Sequence, residues 1–392
     1  MRRVFRVLLF LLVQVILGLG LLAVVLEPAI RILRPQDLVM RGEKPFFPGD
    51  PDLQFAIRPN AEKVLARRDF RITIHSNALG YRDPDRGPKG GAFRILALGD
   101  SFTFGWGVER EDTFEARMER LHADAGTGPP LEVINAGVPG YNLYQSVLAL
   151  EKKGWKVDPD IVLFGAFVQN DFSANLTTEE WIARQKSGKK KEDKPALAAW
   201  LEANSQAWVW LRTRYKSSYR LQRTWYKITR VFKPEKERHR YRSLMVFREP
   251  FSEEMKREWR LTEKLLLRLR DDVRARGRRL LIVLFPPELQ TKRERWKKDI
   301  RKIDLEGSSF DIEKPNKRLA AFCRANGISL LDLLPVFRAS IDAGQELYLT
   351  SDHHWNAEGH RLAAETILKD LYARGWLPGG GGDSGTGPGS AD

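Results

Sequence analysis

Short, nearly continuous apolar runs recur along the chain, and each is followed by a loop and a helical pattern. The runs are rich in leucine and β-branched residues and occupy residues 93–98, 131–135, 160–165, 279–285 and 328–332. Strands that are apolar on both faces are typical of a parallel sheet covered by helices on both sides. The pattern therefore predicts an α/β fold, a three-layer α/β/α sandwich with a mainly parallel five-stranded sheet.

A longer apolar run lies near the amino terminus. Residues 7–26 carry no charge, which is about the length that a helix needs to cross a bilayer, and three arginines precede them. A cleavable signal peptide is the alternative, but its apolar region is usually shorter and no small-residue cleavage site precedes Glu27. We predict a cytoplasmic tip and an uncleaved transmembrane signal anchor in residues 1–30. The basic residues beyond the run weaken the charge asymmetry that sets orientation; they are Arg31, Arg34, Arg41 and Lys44.

Polar and glycine-rich segments divide the rest of the chain. Residues 31–90 are rich in proline, glycine and charge, and we interpret them as a linker and an N-terminal extension with a short hairpin. Residues 91–376 form the main domain. The glycine-rich residues 377–392 cannot bury apolar surface and are predicted to be a disordered tail.

A long excursion, residues 173–250, interrupts the main domain between the third and fourth predicted strands. It has no convincing strand and is crowded with basic and aromatic side chains, so we predict a helical insertion. Its aromatic residues either pack the insertion onto the main domain, which is favoured, or line a groove for sugar rings or acyl chains. The apolar residues at helical spacing are Trp200, Trp208, Trp210, Leu211, Tyr215, Tyr219 and Trp225.

The charge of the chain bounds its partners. It has 66 Lys and Arg against 51 Asp and Glu, a formal net charge of +15. Such a charge favours an anionic membrane face, an acidic polymer or nucleic acid, and composition alone does not choose among them. The one cysteine, Cys323, excludes an internal disulfide and a Cys-rich metal site, and its context predicts a buried thiol near a helix end.

The strongest local signal is GDSFTFG, residues 99–105, directly after the first predicted strand. A serine at the carboxyl edge of a parallel strand lies where α/β sheets bind their ligands. The hydroxyl of Ser101 is a weak nucleophile alone and needs a base and an orienting group. TSDHHWNAEGH, residues 350–360, supplies both, because the Asp352 carboxylate can bind one imidazole nitrogen of His354 while the other faces Ser101.

Two further polar loops follow the second and third predicted strands. They are NAGVPGYN, residues 135–142, and GAFVQND, residues 165–171. Because parallel strands end at one edge of a sheet, a glycine N–H and an asparagine amide from these loops would lie near Ser101. Such donors are what a tetrahedral oxyanion requires.

In this order, the four segments resemble the SGNH/GDSL hydrolase superfamily, over roughly residues 94–372 apart from the insertion. The resemblance implies an SGNH, flavodoxin-like domain with Ser101 as nucleophile and His354 as general base. It implies that the oxyanion is held by the N–H of Ser101, the N–H of Gly140 and the side-chain amide of Asn170. Among the glycines of its segment, Gly140 is the one that stands just before the helix.

The final segment departs from the common pattern of the superfamily. There the acid precedes the histidine by three residues, a position that Ser351 occupies here, whereas Asp352 stands two before His354. This spacing, followed by Trp355, resembles the bacterial alginate O-acetylation proteins. The resemblance assigns the acid role to Asp352 and favours an O-acyl ester of a cell-envelope or secreted polysaccharide as the substrate. Residues 77–83 also resemble a segment of anchored bacterial members, to which we assign no chemistry.

The remaining polar residues of these segments have structural interpretations. Asn142 and Asp171 are predicted to hold loops by hydrogen bonds, and His353 and His360 to be structural or surface residues. A metal site around Asp352 is disfavoured, because the chain has 6 His and no second cluster at ligand spacing. We expect neither a metal nor a cofactor.

The sequence therefore predicts a serine esterase or O-acyltransferase acting through an acyl-enzyme, and these residues do not decide whether water or a sugar hydroxyl accepts the acyl group. One alternative is a membrane-associated lipase or thioesterase for longer acyl chains, with the insertion as a lid. Another is a non-catalytic envelope scaffold or polysaccharide-binding protein.

The expected partners follow from the same features. They are an acylated polysaccharide or other ester, the membrane through the N-terminal helix, and an acidic polymer or anionic lipid at the basic insertion. Nucleic acid is disfavoured, because no binding motif is recognisable. The expected location is the inner (cytoplasmic) membrane, as a single-pass protein with a periplasmic or otherwise extracytoplasmic catalytic domain.

Overall fold

A computed structural model of the chain describes residues 45–126, 128–187, 196–217, 242–300 and 309–378, together with residues 24–33 and positions 10, 13, 14 and 20. Contacts within the chain divide it into two units. One falls within Met1–Pro45 and Lys189–Arg240, and the other within Phe46–Gly188 and Tyr241–Asp392.

The larger unit contains all the strands of the described residues. In chain order they are β1 Gly49–Asp50, β2 Gln54–Phe55, β3 Glu62–Ala66, β4 Arg71–His75, β5 Phe93–Gly99, β6 Leu131–Asn135, β7 Ile161–Phe167, β8 Arg248–Glu249, β9 Arg279–Phe285, β10 Ser309–Phe310 and β11 Ser329–Asp332.

Helices separate the longer strands. Two of the helices numbered here belong to the smaller unit, in which residues 24–33 are also helical. The α-helices are α1 Ser101–Phe104, α2 Phe114–Ala125, α3 Leu143–Lys152, α4 Asn175–Lys186, α5 Ala196–Asn204, α6 Gln206–Ser217, α7 Glu253–Ala275, α8 Glu288–Thr291, α9 Arg293–Ile300, α10 Lys314–Ala325, α11 Leu334–Asp342 and α12 Ala357–Ala373. Short 3₁₀ turns occupy Arg110–Asp112, Gly154–Val157 and Arg242–Phe247.

The central sheet has five strands in the order β11-β9-β7-β5-β6. All four of its neighbouring pairs are parallel, so the predicted parallel five-stranded sheet is confirmed. Gly99 at the end of β5 pairs with Gly165 in β7. The loops that follow these strands therefore begin side by side at the carboxyl edge.

Alternate residues of each central strand contribute to two separate hydrophobic cores, because successive side chains of a strand point to opposite faces. On one face, Leu96 and Leu98 of β5 pack in the core formed with α3, α7 and α10. On the other face, Ile95 and Ala97 pack in the core formed with α2, α11 and α12. Burial on both faces explains why these strands are apolar throughout.

The N-terminal extension forms a third, smaller core over the carboxyl edge of the sheet. Apolar residues of β3, β4 and the chain before them pack against Phe104 at the end of α1 and against Val138 and Tyr141 in the loop after β6. The hairpin β3–β4 includes the predicted strand at residues 71–75. The extension thus lies directly beside the loops that carry the candidate chemistry.

The smaller unit joins the segment after the apolar run to part of the insertion. The Glu27 carboxylate accepts hydrogen bonds from the N–H groups of Gln206 and Ala207, both 2.9 Å, at the start of α6. Burial raises the pKa of Glu27, but these bonds and those from Ser205 and Arg31 outweigh it and lower the pKa to about 2. A carboxylate is favoured there because it satisfies N–H groups that have no partner within the helix.

Several predicted segments fall mostly or wholly outside the described residues. They are the apolar run 7–26, residues 188–195 and 218–241 of the excursion with Tyr219 and Trp225, and the tail after Pro378. Among the helical residues that are described, no helix has the length and apolar character of a membrane span.

Candidate active site

Ser101 is the first residue of α1, a single turn that begins where β5 ends. The Asp100 side chain caps this turn by accepting the N–H of Phe102 at 2.9 Å. Gly99 is required by close packing, since a Cβ there would lie 2.2 Å from the Thr103 hydroxyl and 2.7 Å from the Gly165 carbonyl. The chain therefore turns sharply at Asp100 and presents Ser101 at the carboxyl edge of the sheet.

The structure brings Ser101, His354 and Asp352 into one chain of hydrogen bonds. The hydroxyl Oγ of Ser101 lies 2.7 Å from Nε2 of His354, although the two residues are 253 positions apart. The other ring nitrogen of His354, Nδ1, contacts Oδ1 of Asp352. The carboxylate that contacts His354 is therefore the one two residues before it.

The loop reaches this geometry through an unusual backbone conformation at His353. Its φ is +69°, in the left-handed region that residues other than glycine rarely adopt. This turn allows side chains two positions apart, Asp352 and His354, to meet. Next to it, Trp355 is fully buried and packs against Phe102 with ring centroids 5.2 Å apart, which fixes the loop onto the domain.

The surroundings of Asp352 favour its ionised form. Partial burial raises its pKa, but hydrogen bonds from His354 and Trp106 outweigh this and lower the pKa below the usual value. The indole N–H of Trp106 donates to Oδ2 of Asp352 at 3.3 Å. An ionised Asp352 holds His354 with a proton on Nδ1, which leaves Nε2 able to accept the Ser101 proton.

Asn170 connects the loops after β5, β6 and β7. Its side-chain Nδ2 donates to Oδ2 of Asp100 at 3.0 Å and, at a longer 3.4 Å, to the carbonyl of Tyr141. Asp100 precedes Ser101 and Tyr141 follows Gly140 in sequence. The Asn170 amide therefore contacts the residues next in sequence to the other two predicted oxyanion donors, Ser101 and Gly140.

The two glycines of the second loop differ in their surroundings. A Cβ on Gly137 would lie 2.4 Å from the backbone nitrogen of Phe104, so this glycine permits close packing. Gly140 is exposed, has a φ of +86°, and a Cβ there would meet only the Phe55 ring at 3.6 Å. Of the two, Gly140 has room for a ligand beside its backbone.

Asn142 and Asp171 make the structural contacts predicted from the sequence. Asn142 caps α3 by accepting the N–H of Gln145 at 3.2 Å, and its amide donates to Thr178 at 2.8 Å. Asp171 is fully buried and accepts the N–H of Phe167 at 2.7 Å. Burial raises the pKa of Asp171 well above its usual value, and the nearby Asp100 carboxyl adds to the effect.

The other two histidines of the final segment do not contact Ser101. Nε2 of His353 lies 3.0 Å from Nη1 of Arg295. His360 is buried in α12, where Nδ1 accepts the N–H of Phe114 at 3.3 Å. Among the described residues, no group of three or more His, Cys, Asp or Glu is arranged to hold a metal ion.

The buried His360 gives a prediction for stability against pH. Burial lowers its pKa from 6.5 to about 3, so below pH 6.5 the unfolded chain binds a proton that the folded chain excludes. The contribution of neutral His360 to the free energy of unfolding is present in full above pH 6.5. As the pH falls below this value, the contribution decreases by at most about 1.4 kcal/mol per pH unit. Denaturant unfolding of the wild type and His360→Gln at pH 7, 6 and 5 should show a shallower pH slope for the variant. Equal slopes would contradict this interpretation of His360.

The sequence did not point to the buried Arg82 as part of the support for the site. Its guanidinium donates to the carbonyls of Phe104 at 2.9 Å, Gly105 at 2.6 Å and Val108 at 2.7 Å, which fixes the loop after Ser101. Burial lowers the pKa of Arg82 to about 10, and the nearby Glu115 opposes the shift. The only signal for this role was the resemblance of residues 77–83 to a recurrent segment.

The main domain is similar to a known protein family. The family model described as "GDSL-like Lipase/Acylhydrolase family" matches residues 97–362, more than half of the chain. No curated protein matches the sequence. Similar solved structures include an acetyl xylan esterase, AlAXEase, with 15% identity and a TM-score of 0.40, where the match covers 71% of this chain and 100% of that one.

Two further structures show the same low level of similarity. One is a lipase/acylhydrolase from Enterococcus faecalis, with 14% identity, a TM-score of 0.36 and coverage of 72% of this chain and 96% of that one. The other is a two-domain esterase active on acetylated mannans, with 14% identity, a TM-score of 0.36 and coverage of 72% and 50%. The family match, which spans the serine, asparagine and histidine segments, is decisive: the chain belongs to the GDSL-like lipase/acylhydrolase family.

Proposed function

We propose that the protein is a serine esterase or O-acyltransferase that uses Ser101, His354 and Asp352 and passes through an acyl-enzyme. The observation that carries the proposal is the 2.7 Å contact between Oγ of Ser101 and Nε2 of His354, with Asp352 on the other ring nitrogen. A nucleophile, a base and an orienting carboxylate in hydrogen-bond contact are what activation of a serine hydroxyl requires.

The reaction proceeds by two acyl transfers. Nε2 of His354 removes the Ser101 proton as Oγ attacks the ester carbonyl, and the resulting imidazolium then donates that proton to the departing alkoxide oxygen. The acyl group is now esterified to Ser101. In the second transfer His354 takes a proton from water or from a sugar hydroxyl, whose oxygen attacks the acyl carbon. As the bond between the acyl carbon and Oγ breaks, the imidazolium returns this proton to Oγ of Ser101, which restores the free enzyme.

The oxyanion of each tetrahedral intermediate would be held by the N–H groups of Ser101 and Gly140 and by the amide of Asn170. The contact between the Asn170 amide and the Tyr141 carbonyl supports this role. At 3.4 Å it is long for a hydrogen bond, so this N–H of Asn170 can turn to an oxyanion at little cost. The Asp100 contact at 3.0 Å holds the amide in place meanwhile.

Replacement of Asn170 tests this role. Asn170→Ala should lower kcat for p-nitrophenyl acetate by about a hundred- to a thousand-fold, because one preorganised donor is lost from the transition state. The neighbouring Gln169→Ala is the control, since it leaves the main-chain carbonyl that binds Ser173 in place. An Asn170→Ala protein with the kcat of the control would remove Asn170 from the oxyanion site.

For the substrate we propose acyl esters, in the first place acetyl esters, of a cell-envelope or secreted polysaccharide. Support comes from the Asp-x-His-Trp spacing at residues 352–355, which resembles that of the alginate O-acetylation proteins. We also propose that residues 7–26 anchor the protein in the inner membrane with its catalytic domain outside the cytoplasm, because that run is uncharged and long enough to span a bilayer.

Competition between ester substrates tests the substrate class. We expect the full-length protein to release acetate from an O-acetylated polysaccharide, or to move acetyl groups onto one, faster than it cleaves palmitoyl esters. Ser101→Ala provides the blank for both reactions. Preference for the palmitoyl ester would instead support a membrane-associated lipase or thioesterase.

A further inference from the structure

The hairpin β3–β4 of the N-terminal extension touches the loop that carries the candidate acid. Asp69 lies at the tip of this hairpin, between its two strands. Oδ2 of Asp69 accepts the main-chain N–H of Ser351 at 2.5 Å and that of Asp352 at 3.0 Å. One carboxylate oxygen thus holds two consecutive N–H groups of a loop more than 280 positions away in sequence.

A second contact from the same hairpin tip reaches the side chain of Asp352. Phe70 packs edge-on against Trp106 with ring centroids 6.2 Å apart. The indole of Trp106 in turn donates to Oδ2 of Asp352 at 3.3 Å. The hairpin therefore fixes Asp352 from two sides, its backbone directly through Asp69 and its carboxylate indirectly through Trp106.

The conformation of this loop explains why such support is needed. His353 has a φ of +69°, a conformation that an L residue keeps only when its surroundings impose it. Across the turn, the carbonyl of Leu349 accepts the N–H of His353 at 3.1 Å, and the N–H of Leu349 donates to the carbonyl of His354 at 2.8 Å. Without the Asp69 acceptor, the N–H groups of Ser351 and Asp352 would lose the partner that fixes their direction.

We propose that Asp69 is a positioning residue for the reaction, which holds the backbone of Asp352 so that its carboxylate aligns the His354 ring with Ser101. This role rests on the proposed function, in which His354 is the base. Hydrogen bonds from Ser351 and Asp352 outweigh the effect of burial and lower the pKa of Asp69, so the acceptor is ionised at neutral pH. With this role, the N-terminal extension contributes a residue to the active site.

The test compares Asp69→Ala, Asp69→Asn and wild type in the full-length protein, with p-nitrophenyl acetate as the probe. Asp69→Ala should lower kcat by about ten- to a hundred-fold with little change in KM, because a small displacement of a catalytic group slows the chemical step more than it weakens binding. Asp69→Asn keeps an acceptor oxygen and should recover kcat to within about five-fold of wild type.

A matched control separates positioning from a general loss of stability. Asp311 also accepts a main-chain N–H, from Glu313 at 2.9 Å, in a turn whose described hydrogen bonds do not include Ser101, Asp352 or His354. Asp311→Ala should keep the wild-type kcat, even if its melting temperature falls as much as that of Asp69→Ala. A wild-type kcat in Asp69→Ala, or no recovery in Asp69→Asn, overturns the role of Asp69. A wild-type protein no more active than Ser101→Ala would instead overturn the proposed function.

Discussion

Ser101→Ala is expected to lower kcat for p-nitrophenyl acetate by about a thousand- to a million-fold, the largest effect of any single change. The reason is that Oγ of Ser101, which lies 2.7 Å from Nε2 of His354, is the atom that bonds to the acyl carbon. Residual hydrolysis would come from the oxyanion donors alone. The measurement is a steady-state and burst-phase assay with purified protein.

A second serine provides the control for Ser101. The hydroxyl of Ser146 in α3 is buried and has no hydrogen-bond partner among the residues that the structure describes. Ser146→Ala should therefore keep the wild-type kcat and be at least as stable, because an unsatisfied polar group is removed. Parental activity in Ser101→Ala would mean that another nucleophile does the chemistry.

The second large effect concerns the acid. Asp352→Asn should lower kcat by about a thousand- to ten-thousand-fold while the fold is retained. An amide at this position donates to Nδ1 of His354, so the ring proton moves to Nε2 and the nitrogen that faces Ser101 can no longer accept a proton. The decrease should appear in kcat rather than in KM, which steady-state kinetics at neutral pH separates.

Ser351 provides the control for Asp352. Ser351 occupies the position three before His354, where the common pattern of the superfamily places the acid. Ser351→Ala keeps both main-chain N–H groups that bind Asp69 and should lose far less activity than Asp352→Asn. Equal losses in the two variants would show that the carboxylate of Asp352 has no special role.

The central sheet could be predicted closely because its signal is local. A strand buried on both faces is apolar at every position, and the predicted runs at residues 131–135 and 279–285 coincide with β6 and β9. The third run, predicted at 160–165, forms a strand over Ile161–Phe167 instead. Asp160 still borders the sheet: its N–H donates to the Arg94 carbonyl at 2.8 Å, and its carbonyl accepts the N–H of Arg279 at 3.2 Å. The start of the predicted run is therefore one residue from the start of the strand.

The excursion at residues 173–250 was predicted less completely, because its strand is very short and its contacts join residues far apart in sequence. It does contain helices, but β8 pairs with β10 more than fifty positions away, and two residues are too few to show strand alternation. The contact of Glu27 with the start of α6 joins segments that are far apart in sequence. Neither pairing leaves a periodic pattern that can be recognised.

The residues of the candidate site also differ in whether the sequence could predict them. Ser101, Asp352, His354 and Asn170 stand in short segments whose order resembles a family, so their proximity could be predicted. Asp69 could not, because an aspartate in a hairpin turn is explained equally well by the turn itself. Its contact with the backbone of the Asp352 loop depends on tertiary structure alone. Trp106 contacts Asp352 across 246 positions, and Arg82 binds carbonyls 22 to 26 positions away, so these two roles also depend on tertiary structure.

The most direct test of a Ser101–His354 active site is covalent labelling of the native full-length protein with a fluorophosphonate, followed by peptide mapping of the adduct. We predict a single adduct on Ser101 in the wild type, its loss in Ser101→Ala, and much slower labelling in Asp352→Asn. An adduct on a different serine, or no labelling of an ester-cleaving protein, would contradict the assignment.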